Sequence, residues 1–264
     1  MRGRVLIVAG SDSGGGAGIQ ADIKTVTALG AYAATAITAL TAQNTLGVFG
    51  VHAVPIAFIR QQIDLVLDDI GADAVKTGML HSAEVIDAVA AAIREKARRA
   101  PLVVDPVMVA KGGASLLDPD AVGALRERLL PLAAIVTPNA PEAQALTGQR
   151  VETLDDLERA ARSLAGMGPR AALVKGGHVA GPVVRDVLFA DGRVEIFESP
   201  RIESTSTHGT GCTLASAIAA GLAQGLAMRA AVTRARAYVQ EAIRTAPGFG
   251  KGHGPLNHAH TVRA

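Results

Sequence analysis

The amino-acid sequence predicts an α/β protein with a mostly parallel central sheet, helices on both faces and a small antiparallel hairpin at one edge. Short apolar runs with strand character alternate with segments of helical periodicity along most of the 264 residues. That alternation is typical of parallel strands joined by right-handed helical crossovers. It breaks where two apolar runs flank Asp191-Gly192, a pair that favours a tight hairpin turn. No linker or change in composition divides the chain, which predicts a single domain over residues 1–264.

The first half of the chain begins with a strand, a glycine-rich loop and a helix. An apolar run at 5–9 ends in the loop 10–16, and helical periodicity follows over 19–29. Pro55 is well placed to begin the second helix, because its fixed φ suits a first helical turn. The remaining predicted elements up to residue 104 are strand 33–42, helix 55–70, strand 74–76, helix 83–97 and strand 102–104.

The second half continues the alternation and ends in helices. Its predicted elements are helix 120–129, strand 133–136, helices 141–146 and 154–167, strand 171–174, hairpin strands 184–189 and 194–197, and helices 212–225 and 228–245. Residues 247–260 contain four glycines, three histidines and two prolines, which predicts an irregular terminal segment.

Composition argues against several classes of protein. The formal net charge is only +2, aromatic residues make up 3% and tryptophan is absent, so the sequence gives no support for nucleic-acid binding. The uncharged stretches 28–59 and 211–228 contain polar residues that indicate buried strand and helix rather than membrane spans. A single cysteine and an N-terminal apolar run too short for a signal peptide predict a cytoplasmic protein.

The most informative local feature is a glycine-rich turn at 207–211 that runs directly into an alanine-rich helix. Gly209 and Gly211 flank Thr210, which lets successive backbone N–H groups point into one concavity, and the helix adds the positive end of its dipole. Cys212, the only cysteine, lies at this helix N-terminus, where we expect a lowered thiol pKa and a role as a base. The alternative is an ordinary turn in which the cysteine is merely a small residue.

Polar residues follow most of the predicted strands. Parallel strands of an open sheet bring their carboxyl ends to one rim, where ligands of such folds bind. Loops are commonly polar, so it is the coincidence of these residues that predicts a site. They are Ser11, Asp12, Gln43, Asn44, Thr77, Gly78, Met79, Asp105, Thr137, Asn139, Lys175, Gly176, Gly177 and His178.

Asn139 and Glu142 are three residues apart at the start of a predicted helix. This spacing places two oxygen ligands on one face, which suits Mg²⁺ together with phosphate oxygens, and Asp105 adds a carboxylate nearby. The same spacing also fits a helix cap with a box-like partner, and an aspartate before a proline also fits a turn. Both interpretations stay open at this stage.

Two lysines are candidates for phosphate binding. Lys175 ends a strand before two glycines, so its ammonium group can reach phosphate without obstruction, and Lys111 lies beside glycines in a loop that we expect to be mobile. Exposed lysines are usually only solvated charges, an argument that weighs more against Lys111. His208 and His178 lie near the expected site, and the histidines lack convincing zinc-ligand spacing.

Together these residues favour phosphoryl transfer, in which positioning and charge stabilisation supply most of the catalysis. The sequence has no G-x-x-x-x-G-K-[ST] motif, which excludes a P-loop. Residues 16–21 do fit the G-x-G-x-x-A fingerprint of dinucleotide-binding folds, but no acidic residue follows about 20 positions later. An NAD-dependent oxidoreductase is therefore a weakened alternative from a different class.

Longer motifs are spread over nearly the whole chain. They are AGSDSGGGAGIQAD at 9–22, TALTAQNT at 38–45, KTGML at 76–80, DPVM at 105–108, TPNAPE at 137–142, KGGH at 175–178 and THGTGCT at 207–213. With them the chain resembles the hydroxymethylpyrimidine and phosphomethylpyrimidine kinases of thiamin biosynthesis, a branch of the ribokinase-like superfamily. The resemblance implies a ribokinase-like three-layer sandwich and a homodimer. It also implies ATP- and Mg²⁺-dependent phosphorylation of 4-amino-5-hydroxymethyl-2-methylpyrimidine and then of its monophosphate.

The resemblance also implies roles for individual residues. Most ribokinase-like enzymes carry aspartate at the position of the base, so Cys212 separates this chain from the sugar kinases. The implied roles are substrate binding for Gln43, Asp22, Gly10, Ala17, Met79 and Val107, nucleotide binding for Asn139, Lys175, Gly209 and Gly211, Mg²⁺ binding for Glu142 and Asp105, and catalysis for Cys212 with Gly209, Thr210, Gly211 and Lys175.

The same cysteine occurs in a group of closely similar pyridoxal kinases, so phosphorylation of pyridoxal or pyridoxine is the nearest alternative. Gln43 together with Met79 favours the pyrimidine. A catalytically silent vitamin-binding protein is a further alternative, against which the intact set of Cys212, Lys175 and Glu142 argues. A cysteine hydrolase is another, but the sequence orients no histidine for it.

Overall fold

The computed structural model describes residues 1–109, 113, 116–118 and 120–262. The strands of this part of the chain are β1 Arg4–Asp12, β2 Tyr32–Asn44, β3 Gly47–Ala53, β4 Ala74–Thr77, β5 Leu102–Val104, β6 Ile135–Val136, β7 Ala171–Val174, β8 Val183–Ala190 and β9 Arg193–Pro200. They form one sheet in the order β3-β2-β1-β4-β5-β6-β7-β8-β9. Strands β2, β1, β4, β5, β6 and β7 run parallel, which confirms the predicted parallel core.

Helices cover both faces of this sheet. Their bounds are α1 Gly18–Ala28, α2 Ile56–Asp69, α3 Ala83–Lys96, α4 Ala121–Ala124, α5 Ala140–Thr147, α6 Leu154–Ala165, α7 Thr210–Ala223 and α8 Met228–Arg244. The predicted helix at 120–129 is an α-helix only over α4, and it continues as a π-helix over Leu125–Leu129. The other predicted helices are confirmed with ends shifted by a few residues.

Alternation along β1 shows how the three layers form. Leu6 and Val8 pack into one buried apolar cluster with residues of α2, α3, α5 and α6. Val5 and Ile7 point to the opposite face and pack with α1, α7 and α8. Because successive side chains of a strand alternate between faces, a fully apolar strand indicates helices on both sides. The predicted three-layer sandwich is confirmed.

Antiparallel strands border the parallel core at both edges. The predicted hairpin is β8 and β9, and both of its turn residues have positive φ, 50° for Asp191 and 74° for Gly192. The β2–β3 hairpin at the other edge was not predicted. Most of β3 is exposed and it contains two glycines, so it has neither the buried alternation nor the composition by which strands are recognised.

The uncharged stretch near residue 211 is helix α7, which is buried between the sheet and α8. Among the helices that the structure describes, none is long and apolar enough to cross a bilayer.

Candidate active site

A cavity of about 800 Å³ lies at the carboxyl ends of the parallel strands. The rim predicted from the sequence is therefore the place where a ligand fits. Several sequence-predicted candidates line this cavity together. They are Gly10, Ala17, Gln43, Met79, Asp105, Val107, Asn139, Glu142, Lys175, Gly209, Thr210, Gly211 and Cys212.

The glycine-rich loop between β1 and α1 is built around the carboxylate of Asp12. Its two oxygens accept hydrogen bonds from the backbone N–H groups of Gly14 (2.8 Å), Gly16 (3.0 Å) and Ala17 (2.8 Å). Burial opposes ionisation of this carboxyl, but hydrogen bonds from His208 and the loop lower the pKa of Asp12. Since Asp12 already uses these N–H groups, they are not the pyrophosphate cradle that a dinucleotide fingerprint requires. The oxidoreductase alternative loses its structural basis.

The glycine-rich turn 207–211 that precedes Cys212, called the cysteine turn from here on, contacts this loop. Gly209 has a φ of +79°, and a Cβ atom there would lie 1.9 Å from the carbonyl oxygen of Gly16. His208 Nε2 lies 2.9 Å from Asp12 Oδ2. The side chain of Thr210 closes the turn by donating to the carbonyl of Thr207 at 2.7 Å. The two glycine-rich segments, about 200 residues apart in sequence, therefore hold each other in position.

The predicted anion site corresponds to the first turn of α7. Gly209 is the N-cap of this helix, and Gly211 and Cys212 lie in its first turn. Backbone N–H groups at such positions have no acceptor within the helix and carry the positive end of its dipole. A Cβ atom at Gly211 would lie 3.1 Å from Lys175 Nζ, so the ammonium group rests directly against the turn.

Cys212 is half-buried where the N-termini of α1 and α7 meet. Burial raises the pKa of the Cys212 thiol to about 12, and the carboxylates of Asp22 and Asp105 add to this effect. Lys76 and a hydrogen bond from the Gly18 N–H group act in the opposite direction. The lowered pKa expected from the sequence is therefore wrong for the free protein, because desolvation outweighs the Lys76 ammonium group and the hydrogen bond from Gly18.

Below Cys212 lies a buried ion pair between Lys76 and Asp22. The Lys76 ammonium contacts Asp22 Oδ2 at 2.8 Å, and Ser216 donates a hydrogen bond to Asp22 Oδ1 at 2.6 Å. Both charged side chains are 0% exposed. Asp22 therefore cannot contact a ligand in the cavity, which corrects the substrate-binding role implied by the resemblance.

Another part of the cavity wall combines an amide with apolar surfaces. Gln43 Oε1 lies 3.1 Å from the hydroxyl of Thr41, and Gln43 Nε2 lies 2.9 Å from His208 Nε2. Met79 and Val107 belong to the same small apolar cluster. A Cβ atom at Gly10 would lie 3.0 Å from the sulfur of Met79, so glycine at this position makes room for the thioether. The geometry suits a flat ring with polar edges.

Lys175, which lies against the cysteine turn, also faces the carboxylates of Asp105 and Glu142. Its ammonium group lies 3.3 Å from Asp105 Oδ1 and 4.0 Å from Glu142 Oε2. Burial opposes the charge of Lys175, but these carboxylates raise the pKa of its ammonium group. Burial raises the pKa of Glu142 to about 7; Asp105 adds to this effect, and Lys175 opposes it.

The helix-cap interpretation of Asn139 and Glu142 is confirmed. Asn139 Oδ1 accepts from the Glu142 N–H group at 2.9 Å, and Glu142 Oε2 accepts from the Asn139 N–H group at 2.8 Å. This capping box aims the Glu142 carboxylate at Lys175. Among the described residues, no group of three or more His, Cys, Asp or Glu side chains is arranged to hold a metal ion.

Of the other candidates, His178 lines the cavity. Lys111 lies outside the described residues.

The C-terminal segment is irregular, as predicted, but it supports the site. The backbone N–H group of His208 donates to the carbonyl of Gly254, and His258 Nε2 lies 2.9 Å from the hydroxyl of Thr213. Further along, the N–H group of His253 donates to the carbonyl of Thr45 beside the β2–β3 turn. This segment thus ties the cysteine turn to the edge of the sheet that carries Gln43.

Sequence reasoning missed Lys76 and the organising role of Asp12. A signal for Lys76 was present, because a lysine inside a four-residue buried strand is unusual unless its charge is paired. The C-terminal contacts had no comparable signal, since they are made mostly by backbone groups.

Comparison with known proteins shows the family of the chain. The family model described as phosphomethylpyrimidine kinase matches residues 12–257. The chain is 58% identical, over 97% of its length, to a thiamine biosynthesis bifunctional protein of Geobacter sulfurreducens, of which it covers 52%. It is 51% identical over 96% of its length to a hydroxymethylpyrimidine/phosphomethylpyrimidine kinase of Streptomyces coelicolor, of which it covers 93%. The fold matches an ADP complex of Bacillus subtilis pyridoxal kinase with a TM-score of 0.91 and 37% identity, covering 98% of each chain.

Proposed function

The chain belongs to the phosphomethylpyrimidine kinase family, and we propose that it uses ATP to phosphorylate 4-amino-5-hydroxymethyl-2-methylpyrimidine and then its monophosphate, in thiamin biosynthesis. One observation carries the proposal beyond the comparisons. A single cavity is lined both by the glycine turn with Cys212 and Lys175 and by Gln43 with Met79. An acceptor ring and a transferable phosphate can therefore occupy the cavity together.

The residues divide the chemistry between them. Gln43 would hydrogen-bond the aminopyrimidine edge, with Met79 and Val107 against the ring. The hydroxymethyl oxygen would form a bond to the γ-phosphorus as the bond to ADP breaks, and its proton would pass to Cys212. The N–H groups of Gly211 and Cys212, with Lys175, would stabilise the charge on the transferred phosphoryl group.

Nucleotide phosphates would bind beside the turn, between Asn139 and Lys175. The helix cap uses Asn139 Oδ1, so this side chain would contact phosphate through its Nδ2 group. The isolated strand-like pairing of residues 139 and 175 keeps these two positions adjacent. The ADP complex of the structural relative supports a nucleotide site in this fold.

We also propose that Asp105 and Glu142 hold Mg²⁺. These two buried carboxylates face the ammonium group of Lys175, and a cation beside them would keep Glu142 ionised although burial raises its pKa to about 7. Two carboxylates with water and phosphate oxygens match the donor set that Mg²⁺ prefers, so the absence of a larger cluster among the described residues is no objection. When bound, the ion would neutralise charge on the nucleotide phosphates.

We expect Glu142→Gln to raise the Mg²⁺ concentration that gives half-maximal activity by about tenfold or more, because glutamine removes one anionic ligand. Titration of initial rates with MgCl₂ at saturating ATP measures this. Asp156→Asn is the matched control, since Asp156 closes the same kind of capping box at the start of α6, outside the cavity. Equal Mg²⁺ dependence in the Glu142 variant and the wild type would rule out the proposed ligand.

A panel of acceptors tests the substrate. ATP consumption should be fastest with hydroxymethylpyrimidine and its monophosphate, compared with pyridoxine, pyridoxal and a set of sugars. Pyridoxal is the second candidate because of the structural match to pyridoxal kinase, although the sequence identity to the pyrimidine kinase is higher. A preference for pyridoxal would reverse the assignment. Activity on hydroxymethylpyrimidine without activity on its monophosphate would restrict the proposal to the first step.

We further propose that the protein is a homodimer. Apolar side chains are exposed around β2, β3 and the start of α2, namely Leu40 (46%), Leu46 (60%), Phe49 (72%), Val51 (42%) and Phe58 (54%). Exposed apolar side chains at an uncovered sheet edge favour association with another chain.

Light scattering after size exclusion tests the dimer. We expect a dimer mass for the wild type and a monomer mass for Phe49→Glu, because a buried charge would oppose association. Ile196→Glu, on the opposite edge of the sheet, should leave the dimer intact. A monomeric wild type would contradict the proposal.

We propose a cytoplasmic location because a single cysteine is typical of a reducing compartment. Cell fractionation with an antibody against the chain would test it.

A further inference from the structure

Lys76 and Asp22 form an ion pair that the proposed chemistry does not use directly. Both side chains are fully buried, with a distance of 2.8 Å between Nζ and Oδ2. Removing two charges from water usually costs more than their attraction returns, and apolar residues of similar size often replace such pairs without loss of stability. A contribution to stability is therefore a weak explanation for this ion pair.

Lys76 of this pair lines the same cavity as Cys212. A Cβ atom at Gly78 would lie 2.9 Å from Lys76 Nζ, so the ammonium group lies just beneath the cavity floor where Gly78 has no side chain. Ser216, which donates to Asp22, is one helical turn after Cys212 on α7. Residues four apart on a helix lie on the same face, so the thiol faces the same side as the pair.

The orientation of the pair favours a negative charge on sulfur. The described charged groups acting on Cys212 are Lys76 from β4, Asp22 from α1, Asp105 after β5 and Lys175 after β7. Among them Lys76 has the largest effect and lowers the pKa of the thiol, while the two carboxylates raise it. Asp22 also keeps Lys76 protonated, since its carboxylate raises the pKa of the lysine against the effect of burial.

We propose that Lys76 is a positioning residue for the reaction, whose ammonium group, held in place by Asp22, stabilises the thiolate of Cys212. This inference deepens the proposed function and rests on it. In the reaction the substrate hydroxyl gives its proton to the sulfur, so the thiolate must exist before the transfer. The alternative is a purely structural role, in which Lys76 and Asp22 only connect β4 to α1.

The single cysteine of the chain makes a direct test possible, because alkylation by iodoacetamide reports on Cys212 alone. The rate at which a thiol reacts follows the fraction present as thiolate. We expect Lys76→Met to slow alkylation at pH 8 by about tenfold or more, equivalent to at least one pKa unit. The pH profile of alkylation should move to higher pH, and kcat should fall while the KM for ATP changes little.

A second variant covers the case in which Lys76→Met fails to fold with Asp22 unpaired. The double change Lys76→Met with Asp22→Asn removes both charges and should also slow alkylation, though less, because a repelling carboxylate is removed too. Ser216→Ala keeps both charges and loses only a hydrogen bond, so its alkylation rate should stay within about twofold of the wild type. Circular dichroism and thermal unfolding confirm that each variant is folded.

The results separate the inference from the function on which it rests. Alkylation of the double variant at the wild-type rate, or faster, would overturn the role of Lys76 whatever the activity of the enzyme. Slower alkylation in the double variant, with a normal rate in Ser216→Ala, supports the proposal. If Cys212→Ala kept full activity, the base assignment would fall, and the alkylation rates would still show whether Lys76 stabilises the thiolate.

Discussion

Replacing Cys212 with alanine should lower kcat by about 100-fold or more, with much smaller changes in the KM for either substrate. A positioned general base typically contributes a factor of about 10² to 10⁴ to the rate. Alanine removes the proton acceptor but leaves the backbone N–H groups of the turn, so binding of the phosphate should persist. Steady-state kinetics with hydroxymethylpyrimidine and ATP measure both parameters.

Cys212→Ser is the informative companion to this variant. Serine keeps a hydrogen-bonding atom at nearly the same volume, but its hydroxyl group is far less acidic than a thiol. We expect its kcat to be closer to that of the alanine variant than to the wild type. Turnover near the wild-type value in Cys212→Ala would refute the assignment of the base, and full activity in the serine variant would reduce its role to hydrogen bonding.

Replacing Gly209 with alanine should also abolish most of the activity, by at least about 100-fold in kcat. The φ of +79° at Gly209 disfavours any residue with a side chain, and the new Cβ atom would lie 1.9 Å from the carbonyl oxygen of Gly16. The cysteine turn must then move away from the glycine-rich loop. That displacement would misplace the N–H groups that we propose to stabilise the transferred phosphoryl group.

Gly225→Ala is the matched control because Gly225 lies just beyond the other end of the same helix. Its φ is +84°, yet a Cβ atom there would have no described heavy atom within 4 Å apart from those of the adjacent residues in the chain. This variant should lose about 1 kcal/mol of unfolding free energy and retain activity within about twofold. If both glycine variants lost activity equally, backbone strain rather than the close approach to Gly16 would be the cause.

Local sequence patterns predicted most of the fold. Alternating strand and helix signals gave the parallel core, and Asp191-Gly192 correctly marked the β8–β9 hairpin. The β2–β3 hairpin was missed because most of β3 faces solvent, so burial imposes no pattern on its residues. The capping box of Asn139 and Glu142 could be read as either cap or ligand pair, since both require the same spacing.

The candidate site could be predicted in outline for a topological reason. Strands that run parallel end at the same rim, so residues following them meet wherever the helices are placed. This brought Gln43, Asp105 and Lys175 to one cavity. The substrate-binding role predicted for Asp22 was wrong because the side chain lies beneath the cavity floor, where it pairs with Lys76.

The α/β fold, the rim and the glycine turn that carries Cys212 could therefore be predicted from local spacing and strand direction. Which groups are available for chemistry depends on contacts that form only when the chain folds. Asp12 takes up the N–H groups of the glycine-rich loop, and Asp22 pairs with Lys76. Burial raises the pKa of Cys212 to about 12. Hydrogen-bond partners and desolvation come from segments distant in sequence, so a pattern within one segment cannot reveal them.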